Sequence, residues 1–245
     1  MTAYERHFAD VAGSYDVVRH EETDAVANWV TDAGALRPGL QLLDVGCGTG
    51  VVTCALAERA GVTAVGVDPS AEMLQQAQRR AGERCSFVRA DAEQLPFADG
   101  SFERVLMQGV IHLVDRAAAL GEARRVLTSD GALVIHTPDP VGVDDYWLGR
   151  WFPSFASIER TRFPSRPALT EELRAAGFAR VEVSRLRQRV KLDRDHALAL
   201  LRARYPSFIV HISEHEYERA LANAERDMPD ATESDLHLAC VVGWI

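Results

Sequence analysis

Residues 42–50 read LLDVGCGTG. An apolar run ends at Asp44, and Gly46, Gly48 and Gly50 follow almost at once, with Cys47 between the first two. Glycine adopts backbone conformations closed to other residues and lets another group approach the chain closely. A buried strand that turns sharply and offers its backbone to a ligand needs this composition. A dinucleotide, a phosphate and other ligands are all candidates at this point.

The flanking sequence sets the turn in a rhythm. Helical patterns cover about residues 4–16 and 22–36, and Arg37-Pro38-Gly39 ends the second. LQLLDV then reads as a strand, VVTCALAERA as a helix stopped at Gly61, and TAVGVD as a second strand. SAEMLQQAQRRAG follows as a helix with Ser70 placed to cap it. CSFVRAD, ERVLMQ and GALVIHT supply three more strands, with turns at Asp99-Gly100 and at Ser129-Asp130-Gly131 and the helix AAALGEARRVL before the last. Beyond Thr137, prolines and aromatics crowd residues 139–167, a loop or short helices. Thr170 is placed to cap TEELRAAG, RVEVSRLRQRVKL is a long strand, helices cover about 195–204 and 214–226, and LHLACVVGW ends the chain as a strand.

Short apolar strands alternating with helices imply a parallel sheet covered on both faces. Right-handed crossovers make it doubly wound. The expected fold is α/β: a mostly parallel seven-stranded sheet with an antiparallel last strand and a helical lid. Residues 1–37 form a helical cap, 38–137 the ligand-binding core, and 139–167 with 193–229 the lid insertions of a single domain spanning 1–245.

Bulk properties narrow the function. The 245 residues carry a net charge of −9, which argues against a nucleic-acid partner. No apolar run approaches the roughly 18 residues of a membrane span, and the opening MTAYERHFAD does not read as a secretory signal. Four cysteines lack metal-type spacing, so no metal and no disulfide framework is expected, in a reduced cytoplasmic chain.

Ligands of such sheets bind beyond the carboxyl ends of the strands. Three strands end near Asp44, Asp68 and Asp91, spaced 24 and 23 residues apart, so three carboxylates are expected to meet on one rim. The dinucleotide fingerprint GxGxxG does not fit, because its third glycine would fall at Val51. A pyrophosphate is also disfavoured by Asp44, and the lysine of a phosphate loop is missing. A ligand with ribose hydroxyls and positive charge but no phosphate suits the site, and S-adenosylmethionine has these features.

LLDVGCGTG resembles the first motif of class I S-adenosylmethionine-dependent methyltransferases. VGVDPSAEML resembles their second, and RADAEQLPFADGSFERVLMQGVIHLV their third and fourth. The likeness is greatest to the small-molecule branch around the ubiquinone/menaquinone-biosynthesis methyltransferases. It covers about residues 4–137. It implies that the turn from Gly46 through Cys47 and Gly48 to Gly50 lies against the methionine part of the cofactor, with Asp44 orienting the turn and the ammonium group. Asp68 would take the ribose hydroxyls, Pro69 and Met73 would flank the adenine, and Asp91 with the Ala92 backbone would read its edge. Gln108 and Gly109 would touch the methionine end, and Tyr15 and Arg19 would close over the cofactor. The chain departs from the pattern at Glu103-Arg104, where many relatives carry an aspartate after Ser-Phe; this position reads as structural.

His112, just beyond the fourth strand, is the first candidate for a general base and His136 the second, with Asp139 and Tyr146 behind them. Tyr146, Trp147, Trp151, Phe152, Phe155, Tyr205 and Phe208 are expected to line an apolar acceptor pocket or to pack the lid. His211-Ile212-Ser213-Glu214-His215 matches a zinc-protease pattern, but Ser213 and Glu216 read as a capping box that starts a helix at Glu214. Arg185, Arg187, Arg189 and Lys191 share one strand face, either a charged edge or an anion site. The expected activity is methyl transfer to a small, partly apolar acceptor in secondary or quinone-type metabolism, by a monomer or homodimer. A non-methylating enzyme of this fold, a non-catalytic binding module and a nicotinamide oxidoreductase are the alternatives.

Overall fold

The computed structural model describes residues 3–13 and 23–245. Helices α1 (Ala3–Val11) and α2 (Thr23–Ala33) precede the sheet. The core then runs β1 (Gln41–Val45), α3 (Val51–Ala60), β2 (Thr63–Asp68), α4 (Ala71–Gln78), β3 (Cys85–Arg89), β4 (Phe102–Gln108), α5 (Arg116–Val126) and β5 (Leu127–Pro138). Helices α6 (Phe155–Arg162) and α7 (Arg166–Ala175) lead to β6 (Arg180–Asp193), and α8 (Arg194–Arg202) and α9 (Glu214–Asp227) lead to β7 (Ala231–Trp244).

The seven strands are ordered β3-β2-β1-β4-β5-β7-β6. Strands β1 to β5 pair in parallel, and β7 runs antiparallel to both its neighbours. The expected sheet and its antiparallel last strand are therefore observed. Along β1, β4 and β5 the side chains alternate faces, as strand geometry requires. Leu43, Val105 and Leu133 join the core with α5 and α7, whereas Leu42, Leu106 and Val134 join the one with α2 and α3. A third apolar cluster forms within residues 143–228, around Trp147, Phe152, Leu201 and Phe208. The chain leaves β1 for β2 on one side and later returns to β4 on the other. That reversal opens a crevice where the strand ends diverge.

Local chemistry explains the element ends. Gly61 stops α3 in the left-handed region at φ 67°. The Ser70 hydroxyl accepts the Met73 N–H at 3.2 Å, and Ser213 accepts that of Glu216 at 3.1 Å. Four expectations are corrected. Helix α7 is capped by Ser165, not Thr170, whose hydroxyl bonds back to the Arg166 carbonyl. The first helix ends at Val11 rather than near residue 16. Ser129-Asp130-Gly131 lies within β5, beside a register shift in its pairing with β4, and not in a turn. Cys54 on α3 and Cys85 on β3 are joined as a disulfide, against the expectation of none.

Arg104, the departure noted above, is a buried residue at the far end of the sheet from the crevice. It donates to the Gly34 and Glu103 carbonyls and lies over the Trp244 ring. The basic face of the edge strand β6 is matched by carboxylates of β7: Arg187 pairs with Asp235, and Lys191 with Glu233 at 3.0 Å. Arg189 lies 3.6 Å from both acids. Such exposed pairs add little stability, and the two carboxylates offset only part of the charge of Arg185, Arg187, Arg189 and Lys191.

Candidate active site

The glycine turn folds down onto the end of β2. The N–H groups of Gly46 and Cys47 both donate to the Val67 carbonyl, at 2.8 and 3.0 Å. Asp68 at the end of β2 answers from the other side: its Oδ2 accepts the Gly48 N–H and its Oδ1 the Ser70 N–H, each at 2.9 Å. One carboxylate thus fastens the turn and the start of α4 together. Burial pushes the Asp68 carboxyl above its ordinary range, against the pull of these two N–H groups. Gly46, Gly48 and Gly50 all have positive φ, at 73°, 55° and 75°. A side chain at Gly46 would press into Val110, and one at Gly50 into Phe87.

A cavity of about 320 Å³ opens above this turn. Gly46, Cys47, Gly48, Asp68, Pro69, Met73, Asp91, Ala92, Gln108 and Gly109 all line it. Gly50 and Asp44 do not. Gly50 begins α3 behind the turn. Asp44 is only 2% exposed, and its Oδ2 accepts the Thr53 hydroxyl at 2.6 Å. The expectation of three carboxylates on one open rim is therefore corrected: Asp44 is covered by the turn that follows it, and Asp68 and Asp91 face the cavity. Tyr15 and Arg19 lie outside the described residues. Glu93, Val110, Leu113 and Val114 also line this space and were not singled out from sequence, as does Ser70, expected only as a helix cap. Glu93, two positions after Asp91, was the readable one, since the chain must continue along the same rim. Among the described residues the lining holds three acids, Asp68, Asp91 and Glu93, and no lysine or arginine. Such a wall repels a pyrophosphate and suits a ligand carrying positive charge.

A second cavity of about 260 Å³ adjoins the first, and Phe8, Gln108 and Gly109 line both. Gly109, at φ 69°, donates its N–H to the His136 carbonyl at 2.8 Å, which ties the end of β4 to the end of β5. His112 and His136 both face this second space. His136 is buried with its ring 4.8 Å from Trp29. His112 packs edge-on to Phe163, its Nδ1 buried without a hydrogen bond. Burial, aided by Arg162, pulls the His112 imidazole down to about 3. The ring is therefore neutral at physiological pH.

That shift has a measurable consequence. The folded value lies below the ordinary 6.5, so the stability His112 contributes is complete above pH 6.5 and is lost as pH falls toward 3. Between pH 6.5 and 4.5 the wild type is expected to lose up to about 1.4 kcal/mol per pH unit more than His112→Asn. Urea unfolding of both proteins across that range measures the difference. Parallel curves would show that His112 does not stay neutral in the fold.

The aromatic residues divide. Tyr146, Trp147, Phe155, Tyr205 and Phe208 line the second cavity, whereas Trp151 and Phe152 pack within the lid cluster. Asp139 also lines the cavity, but its carboxylate caps the Val141 N–H and pairs with Arg166 at 2.7 Å. Helix α9 starts at Glu214, so His211 lies ahead of it, where its Nε2 meets the Tyr4 hydroxyl at 2.5 Å. No group of three metal-ligating side chains occurs among the described residues. None of the described helices is long and apolar enough to cross a membrane.

A family model for a methyltransferase domain matches residues 43–135. The demethylmenaquinone methyltransferase of Clavibacter sepedonicus is 35% identical over 204 residues, covering 71% of this chain and 82% of that protein. With three other curated relatives the match spans only 36% to 57% of their length. Among solved structures, one named as a methyltransferase of an antibiotic biosynthesis pathway from Anabaena variabilis superposes with TM-score 0.73 at 22% identity, covering 90% of this chain and 97% of that one. The Haemonchus contortus phosphoethanolamine N-methyltransferase, solved with S-adenosyl-L-methionine, gives TM-score 0.63 at 18% identity, over 95% and 56% of the two chains.

Proposed function

Because the chain belongs to the S-adenosylmethionine-dependent methyltransferases, we propose that it moves a methyl group from S-adenosylmethionine to a small, partly apolar acceptor. One observation supports this above the others: two cavities of different character meet at Gln108 and Gly109. The first has an acidic wall and a backbone turn. The second is largely apolar, with Tyr146, Trp147, Phe155, Phe163 and Phe208 among its walls.

The residues of the first cavity fit the cofactor. Each Asp68 oxygen keeps a lone-pair site beyond the N–H it already accepts, and so can take a ribose hydroxyl. Pro69 and Met73 offer apolar surface to a flat base, and Asp91 with the Ala92 backbone offers a polar edge. Asp44 acts from beneath, holding the strand end through Thr53. When bound, the cofactor supplies a methyl group already activated by a sulfonium. The protein's share is then to position the acceptor, exclude water and receive a proton where one must leave. His112 and His136 are the candidate polar contacts in the second cavity. The acceptor belongs to secondary or quinone-type metabolism in this reading, which the demethylmenaquinone relative supports.

Titration calorimetry with S-adenosylmethionine, S-adenosylhomocysteine and NAD tests the cofactor. Both sulfur compounds are expected to bind and NAD is not. Binding of NAD alone would return the site to the oxidoreductase alternative.

A further inference from the structure

The second cavity contains an acid that no sequence motif marks. Glu159 lies on α6, within the lid, and is only 5% exposed, yet it lines the cavity. Its Oε1 accepts from Arg162, while Oε2 enters no hydrogen bond with any described residue. Arg162 is itself fixed. It donates to the Ser207 hydroxyl at 2.9 Å and lies over the rings of Phe163 and Tyr4. The same Phe163 ring packs on His112. Glu159 and His112 thus line one space together with Phe163, the ring on which His112 and Arg162 both pack.

The charges around the cavity define its ligand. Among the described residues no lysine or arginine lines it. Asp139 is matched by Arg166, and His237 stands 3.4 Å from Asp145. An anionic acceptor would meet no free cation among these residues, and a cationic amine would meet an acid that Arg162 already neutralises. A neutral, ring-bearing molecule is left, with a donor that can reach Oε2.

We propose that Glu159 is a catalytic residue, binding and deprotonating a hydroxyl on a neutral aromatic or alicyclic acceptor. The inference rests on the methyl-transfer reading above. In the step, a lone pair of the hydroxyl oxygen forms the new O–CH3 bond and the C–S pair stays with sulfur. The hydroxyl proton passes to Glu159 Oε2 and later to solvent. Burial lifts the Glu159 carboxyl to about 7, so it holds a proton more readily than an ordinary glutamate.

The test uses the whole chain saturated with S-adenosylhomocysteine and two probes, α-naphthol and its methyl ether. The substitution Glu159→Gln keeps an oxygen for Arg162 but puts an amide N–H where Oε2 stood. It is expected to weaken α-naphthol about tenfold while leaving the ether unchanged. Ether formation from S-adenosylmethionine should fall about a hundredfold. Equal loss for both probes, no loss for either, or a wild type that binds α-naphthol no better than its ether overturns the proposal. S-adenosylhomocysteine binding is read in the same cells. If it is absent, the methyl-transfer reading falls; if it is normal while the probe preference is missing, only the role of Glu159 falls.

Discussion

Replacing Asp68 with alanine is expected to weaken S-adenosylhomocysteine binding about a hundredfold or more, because hydrogen bonds to a buried charged group contribute roughly 1.5–3 kcal/mol each. Asp68 serves two purposes. It faces the cavity, and it holds the Gly48 and Ser70 N–H groups that shape it. The alanine variant loses the ligand contact and frees the turn together. Asp68→Asn is the milder change: one acceptor oxygen remains, while the charge and the acceptor for one of the two backbone N–H groups are lost. Its affinity should fall about tenfold. Calorimetry on the three proteins gives the order wild type, Asn, Ala. A wild-type dissociation constant for the alanine variant would remove Asp68 from the cofactor site.

The second large effect is on stability, at Gly50. Its φ of 75° is strained for any L side chain, and a Cβ there would stand 2.4 Å from Phe87 Cζ and 3.0 Å from Ala77 Cβ. The Phe87 ring also lies against Gly66, where an added Cβ would come within 2.7 Å, so it is confined on that side. Gly50→Ala combines the left-handed strain of roughly 1–2 kcal/mol with overpacking of roughly 1–3 kcal/mol, a loss of about 2–5 kcal/mol. Gly48→Ala is the control. Its φ of 55° is equally unsuited to alanine, but nothing lies within 4 Å of an added Cβ, so only the strain of about 1–2 kcal/mol applies. Urea midpoints report the difference. Equal midpoints for the two variants would show that Phe87 does not confine Gly50.

Ser165 and Thr170 show where local reading falls short. Both hydroxyls precede helical sequence. Pro167 suits a first helical turn, which favours a start after Ser165, and that is where α7 begins. The aromatic residues were harder. Tyr146 and Phe155 face the cavity while Trp151 and Phe152 pack within the lid. All four lie in one short stretch of turns and a helix without a clean period. Glu159 was invisible for a related reason: a glutamate on a polar helix reads as solvated, and only the packing of α6 buries it.

The sequence by itself determined the alternation of strands and helices, the glycine turn, and the placing of Asp68 and Asp91 at strand ends. These are local properties, carried by periodicity and by residues with few alternative conformations. Tertiary structure decided what lies above the turn and what lies beneath it. Asp44 reads as the equal of Asp68 along the chain, yet the turn folds over β1 and buries it against Thr53. The second cavity likewise exists only because β4, β5, β6, β7 and the lid converge on it from distant parts of the chain. Which side chains meet there depends on how those elements pack, and no spacing in a single sequence encodes it.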